Sequence, residues 1–203
     1  MKYLLIDIEN QEDYQIFTII NQNKRLVVKS LQRLITDLPV VISGEIKDNV
    51  IVSPTLHKFE EIISYLPKDE NAKSYWKEVA NLLIEIKNKK IRRIIAEEIN
   101  SRKEKYIYYP LDLKKQVSQC SFIKRTIKLV KMVLAIAPET NLNQDILISL
   151  SLLYYTGAIT NKLALYDPEI REDNTAYVFF RIKEKFPKEY ICIKKISEIM
   201  EEI

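Results

Sequence analysis

One histidine, two cysteines and two glycines are all that this 203-residue chain holds of three informative residue types. Each scarcity excludes something. A single imidazole, His57, cannot build a histidine-rich metal centre, and a lone histidine is by default a surface or half-buried residue. Cys120 and Cys192 lack the paired spacing of a zinc site, so they read as buried free thiols. Two glycines leave no P-loop, no dinucleotide fingerprint and no nucleophile elbow. No uninterrupted apolar run approaches the roughly 20 residues of a membrane helix. The start, MKYLLIDIEN, carries an acid at position 7 and no small-residue cleavage site, so it does not read as a signal peptide. The expectation is a cytoplasmic protein without a cofactor.

What is present is apolar and charged in ordinary proportion, 47% and 30%, enough for a real core. The net charge of +4 is unevenly spread. Between Ile86 and Lys131 stand fourteen Lys/Arg and four Asp/Glu, so that stretch carries +10 and the remainder −6. Such asymmetry points to an anionic partner.

The first 53 residues read as five short strands: Lys2–Glu9, Tyr14–Asn21, Lys24–Ser30, Pro39–Ile46 and Val50–Ser53. Alternation, β-branched residues and polar turns such as Lys47–Asp48–Asn49 support them. Leu31 to Leu38 reads as a short helix or an extension. Five strands in so short a span predict a small antiparallel barrel, with a β-meander on helices as the alternative. Ser53 then caps a predicted helix with Pro54 at its first position and Leu56, Phe59, Ile62, Ile63 and Leu66 as its stripe. His57 lies on its flank. Leu66–Pro67–Lys68–Asp69 is the expected boundary between a β-rich module, 1–66, and a helical domain, 67–203. The fold class is α+β.

The helical part opens with Asn71 to about Lys87, where Trp76 reads as a core or inter-module anchor. Asn88 to about Asn100 follows. Its basic first half, with Lys89, Lys90, Arg92 and Arg93, opposes the helix dipole at some tenths of a kcal/mol per charge. Those cations serve either a ligand or only a solvated face. The next stretch, SRKEKYIYYP, interleaves Arg102, Lys103 and Lys105 with Tyr106, Tyr108 and Tyr109. Cations for phosphates and rings for bases suit a single strand, although tyrosines before a proline also pack under helices.

From Ser121 to Gly157 two apolar-striped helices are joined by a polar turn. Ile127, Val130, Val133, Leu134 and Ala137 share one face. Pro138 stops the first helix. Asn141 or Asn143 can cap the second, which carries Ile146, Leu147, Leu150, Leu153 and Tyr154. Gly157 suits a left-handed cap. Two helices are expected after an acidic loop, Thr175–Phe186 and Tyr190–Ile203. Phe179, Phe180, Ile182, Ile191, Ile196 and Met200 are their packing residues. Asp167, Glu169, Glu172 and Asp173 in the loop read as solvated.

The region from about Asn81 to Thr160 resembles the HD-domain phosphohydrolases, most of all the HD module of YhaM-type 3′–5′ exoribonucleases. That family shows a proline-led segment with paired histidines, then Gly-Leu-Leu-Glu-His-Thr, then one helix later Leu-Leu-His-Asp-Ile-Gly. Pro110 matches the leading proline, while Lys115 and Gln116 stand at the paired histidines. Ser121, Phe122, Ile123, Lys124, Arg125 and Thr126 overlay the first motif. Leu152, Leu153, Tyr154, Tyr155, Thr156 and Gly157 overlay the second. YhaM-type proteins also carry an OB module before the HD module, which agrees with a barrel here. The resemblance implies a metal site at Gln116, Arg125, Tyr154 and Tyr155, but none of these is a good ligand. Arginine has no lone pair to donate, and a tyrosine with a pKa near 10 is a poor substitute for imidazole. The metal-dependent activity is therefore expected to be absent.

Three functions follow. The favoured one is a non-catalytic nucleic-acid-binding protein, its phosphates met by Lys89, Lys90, Arg92, Arg93, Arg102, Lys103, Lys105, Lys114, Lys115, Lys124, Arg125 and Lys128. Arg125 would replace a metal's charge and hold a phosphate. The second is a structural or regulatory subunit with an acidic protein partner. The third is an enzyme using a tyrosine or Lys115, for which no nucleophile–base pair or paired carboxylates are visible.

Overall fold

The computed structural model describes residues 1–22, 24–57, 61–113, 118–166, 171 and 175–202. The chain forms two compact units, 1–69 with 113–119, and 70–112 with 120–203. Lys114, Lys115 and Gln116 lie outside the described residues, as do Phe59, Asp167, Glu169, Glu172 and Asp173.

The first unit is a closed five-stranded barrel in the order β1-β2-β3-β5-β4. Its strands are β1 (Lys2–Asn10), β2 (Gln15–Asn21), β3 (Lys24–Ser30), β4 (Val40–Lys47) and β5 (Val50–His57). Antiparallel pairing of Lys2–Leu5 with Val40–Ser43 joins β1 to β4, and β3 meets β5 in parallel at Lys29 and Val50. Alternation sends Leu5, Phe17, Ile19, Val28, Ile42 and Ile51 into one core cluster. The outward-facing Leu4, Ile20 and Val41 are cross-strand neighbours and are also buried.

Asp48 and Asn49 both take positive φ, 48° and 61°, between paired Lys47 and Val50. That is the two-residue hairpin whose twist matches its strands. The segment Leu31 to Leu38 is irregular. The buried Gln15 amide holds it, accepting from Leu34 N–H at 2.7 Å and donating to the Leu34 carbonyl at 3.1 Å. Leu34 thereby joins the core while Ile35 is 97% exposed.

The helix expected from Ser53 is absent among the described residues. β5 runs on through Pro54 to His57, and only a 3-10 turn, Ile62–Tyr65, follows. The register explains this. Ser43 faces Thr55 and Glu45 faces Val52, so Ser53 and Pro54 together oppose Gly44 alone. Such a bulge tolerates a proline without an N–H and bends the strand, and Ser53 takes φ 48° there. A Cβ on Gly44 would lie 2.7 Å from Ile51 Cγ1, so the bulge also demands glycine. His57 Nε2 ends 2.9 Å from Ser43 Oγ.

The second unit is helical, with α1 (Ala72–Ile84), α2 (Lys89–Ser101), α3 (Lys103–Tyr108), α4 (Ser121–Ile136), α5 (Gln144–Leu153), α6 (Tyr177–Lys185) and α7 (Pro187–Glu202). α5 is its centre: Ile146 to Leu153 are all buried, and α2, α4, α6 and α7 pack around it. Asn143 caps α5, accepting from Ile146 N–H at 3.3 Å. Asn88 caps α2 by accepting from Lys90 and Ile91. Asp145, in the first turn of α5, accepts from the N–H groups of Lys87 and Asn88 at 2.7 and 2.8 Å and so fixes the α1–α2 turn.

Gly157 is not a left-handed cap. It lies in a 3-10 turn, Thr156–Ile159, and neither glycine has positive φ. A Cβ at Gly157 would fall on the carbonyl of Arg171, so glycine is needed there for close backbone approach. Ile191 is 51% exposed; Ile193, fully buried, faces inward instead.

Candidate nucleic-acid interface

Apart from Lys114 and Lys115, which lie outside the described residues, and Arg125, the sequence-predicted cations fall into three settings on the helical unit, two of which share Lys103. In the first, Arg102, Lys103 and Lys105 line an open pocket of about 500 Å³ with Ser101, Glu104, Ile159 and Thr160. It forms because α2 ends at Ser101 and α3 starts at Lys103, which turns three cations within four positions to one corner. Arg102 donates from Nη2 to Glu98 at 3.3 Å, and its Nη1 is buried without a partner. Lys103 and Lys105 are exposed. The carboxylate of Glu104 tempers the charge of this corner.

The second setting joins α1, α3 and α4. Lys103 Nζ sits 5.1 Å from the centre of the Trp76 ring, and Lys124 Nζ 5.6 Å from that of Tyr75. Trp76 and Tyr75 are both half-buried, on the outer side of α1. Lys124, Lys128 and Lys131 recur at four- and three-residue steps, one stripe of α4. Lys131 pairs with Glu78 of α1. Lys128 is exposed. This face mixes cations with aromatic rings, and Lys103 belongs to both it and the pocket.

The third setting is the first turns of α2. Lys89, Lys90 and Arg93 are exposed and Arg92 is half-buried. Arg93 Nε donates to Glu97 at 2.8 Å, one turn on, and that bond raises the arginine's pKa. Arg92 reaches the Ile84 carbonyl at 3.5 Å. These cations are spent partly on their own surroundings.

Two of the tyrosines proposed for stacking are buried, although Lys105 Nζ lies 6.0 Å from the centre of the Tyr109 ring. Tyr106 is fully buried, edge-on to Phe122 at 4.9 Å and to Trp76 at 6.3 Å, and donates its O–H to the Leu152 carbonyl at 2.7 Å. Tyr109 is 6% exposed. Neither has a free face for a base; the reason is that Tyr106 to Pro110 forms the inward side of α3 and its exit. Only Tyr108 is half-buried. Burial also pushes the Tyr106 hydroxyl far above its ordinary range. Trp76, read from sequence as an anchor, packs on Tyr106 edge-to-face, and Lys103 lies over its ring. Its position on α1 relative to the SRKEKYIYYP stretch is a tertiary fact that local spacing does not carry.

Of the positions named for a metal site, Arg125, Tyr154 and Tyr155 lie together, and Gln116 lies outside the described residues. Tyr155, 1% exposed, shares a 2.7 Å hydrogen bond with Ser197 Oγ of α7. Burial raises its pKa, and Ser197 and the Arg125 guanidinium oppose that shift. Tyr154 lies edge-on to Tyr155 at 5.1 Å and to Phe179 at 6.0 Å. Tyr154, Tyr155 and Phe179 thus form one aromatic cluster. Arg171, 5% exposed, sits nearby: its Nε donates to the Ala164 carbonyl at 3.2 Å, its Nη1 is 3.9 Å from Glu201, and burial lowers its pKa. Among the described residues no group of three His, Cys, Asp or Glu side chains could hold a metal ion. No described helix is long and apolar enough to cross a membrane.

Comparison with family models, characterised proteins and solved structures gives no match for this chain.

Proposed function

We propose that this is a non-catalytic nucleic-acid-binding protein, an OB-like barrel followed by a degenerate HD-like helical domain, and that it holds single-stranded RNA or DNA. The observation that carries the reading is Lys103, which lines the cationic pocket and also lies over the half-buried Trp76. A strand needs phosphate partners beside ring faces, and both are within one side chain's reach here. A cation on an exposed ring gains only about 0.5–1 kcal/mol, so Lys103 can exchange the ring for a phosphate at little cost. Lys105, Lys124 and Lys128 extend the phosphate track.

The barrel's strand order supports the OB-like part of the reading. OB barrels bind oligonucleotides on the face of their second and third strands. Here the outward side of β3 exposes Arg25 and Lys29, with Lys29 Nζ 4.9 Å from the Tyr14 ring. The HD-like part is supported by the overlay of Arg125, Tyr154 and Tyr155, three residues unsuited to hold a metal, on one aromatic cluster.

Trp76 is the sole tryptophan, so its emission reports on this face without a label. Titration with single-stranded RNA, single-stranded DNA and duplex at two salt concentrations is the test. Quenching with micromolar affinity that weakens steeply with salt is expected for one single strand. No binding at low salt overturns the reading.

A further inference from the structure

A second feature of the helical unit lies apart from the Lys103–Trp76 pair and the pocket beside it. Between α2 and α6 runs a groove of about 270 Å³. Ile95 and Ile146 form its floor. Its walls are Ile91 and Ile94 on one side and Tyr177, Ile182 and Phe186 on the other. Ile94 remains 49% exposed and Tyr177 73% exposed, which leaves a wall of large apolar side chains in water. The polar residues that line it are Arg181 and Lys185, one helical turn apart and both cationic, and no carboxylate lines it among the described residues. Glu184 lies 3.9 Å from Arg181, but both are more than half exposed, so the pair does little to neutralise the rim. Lys90, one turn before Ile94, adds a third exposed cation to that side of α2.

We infer that this groove docks an acidic amphipathic helix of a partner protein. Apolar walls between two helices take a third helix through side chains at i, i+3, i+4 and i+7. From Tyr177 to Phe186 the groove runs about 14 Å at 1.5 Å per residue, room for two to three turns of the guest. Charge selects its flanks: carboxylates beside the apolar stripe meet Arg181, Lys185 and Lys90, whereas a basic guest is repelled. The inference does not rest on nucleic-acid binding, because Trp76, Lys103 and Lys124 take no part in it.

The probe is a fluorescein-labelled peptide of about four helical turns, with leucines at i, i+3, i+4 and i+7 and glutamates at the flanking positions, and a twin with lysine for every glutamate. Anisotropy with the full chain should show binding of the glutamate peptide and at least tenfold weaker binding of its twin. Ile94→Glu, and separately Arg181→Glu with Lys185→Glu, should each weaken binding tenfold or more. All three side chains are solvent-exposed, so circular dichroism and melting should hold. Absence of binding, equal binding of the two peptides, or indifference to Ile94→Glu would overturn the inference. So would sedimentation showing a dimer that Ile94→Glu dissolves, since a second copy would then fill the groove. Displacement of the peptide by an oligonucleotide would overturn it too, by assigning these cations to nucleic acid.

Discussion

The Lys103 ammonium rests 5.1 Å from the centre of the Trp76 ring, and that ring meets the fully buried Tyr106 edge-on at 6.3 Å. The pair therefore joins a surface charge to the core through one aromatic side chain. Removing the ring and removing the charge should have separable effects. Lys103→Gln should weaken single-strand binding at low salt and reduce the salt slope by about 0.7, the value for one phosphate contact on a single strand. Trp76→Ala should cost about 1–3 kcal/mol of binding through the lost base–ring stack, with the salt slope unchanged. Anisotropy titrations at four salt concentrations distinguish these. A Lys103→Gln variant with the wild-type slope removes this residue from the phosphate track.

Gly157 carries a sharper expectation for stability. A Cβ there collides with the backbone carbonyl of Arg171, and backbone cannot step aside as a side-chain terminus can. Gly157→Ala should lose about 3 kcal/mol, the upper end for forced overpacking. Gly44→Ala meets the buried Ile51 side chain at 2.7 Å, a milder clash than the one with the Arg171 carbonyl, and should lose less. Urea denaturation of both variants gives the comparison, and equal losses would show that the Arg171 segment yields.

Local pattern was enough for the barrel strands, because alternation and the Asp48–Asn49 turn are encoded within a few residues. It failed from Ser53 onward. Ser53–Pro54 carries the same letters whether it caps a helix or fills a bulge, and only pairing with β4 across Gly44 decides between them. Gly157 misled in the same way: its reason is Arg171, fourteen residues on, and not the end of its own helix. In the candidate site, the basic stretch was legible as charge, but the Trp76 ring that lies under Lys103 was not. Tyr106 and Tyr109 lie beside the cations in sequence, but both are buried, and only Tyr109 keeps a cation, Lys105, within 6.0 Å of its ring. Trp76 comes from a different helix, so the pair with Lys103 exists only once α1 and α3 pack.

Asp145 offers a test of the α1–α2 turn. Its two carboxylate oxygens accept from Lys87 and Asn88, so one side chain fixes the entry to α2 from the start of α5. Asp145→Ala strips both acceptors from exposed N–H groups, which water can then satisfy. The loss should be about 1–2 kcal/mol, the scale of a lost cap. Amide exchange should speed up at Lys87 and Asn88 and stay slow in α4. Uniform acceleration across the unit would show instead that Asp145 supports global stability.

Alkaline pH probes the buried tyrosines. Burial raises the hydroxyl pKa of both Tyr106 and Tyr155, because the phenolate would lose its water. Their folded values exceed the unfolded value near 10. Below that value neither state has ionised and their contribution to stability is whole. Above it the unfolded chain releases protons that the folded chain keeps, so stability falls with rising pH. Each tyrosine contributes a slope of about 1.4 kcal/mol per pH unit until its folded form ionises. Tyr106→Phe should therefore flatten the alkaline limb between pH 10 and 11. It also leaves the buried Leu152 carbonyl without its 2.7 Å donor, so it should lower stability by about 1–2 kcal/mol at pH 7. Tyr155→Phe should flatten the limb as well, and its neutral-pH loss should be smaller, since the Ser197 hydroxyl left behind can rotate toward another acceptor. Guanidinium midpoints from pH 7 to 11 measure all of this. A limb as steep in the double variant as in the wild type would mean that lysine deprotonation, not phenol burial, drives alkaline unfolding.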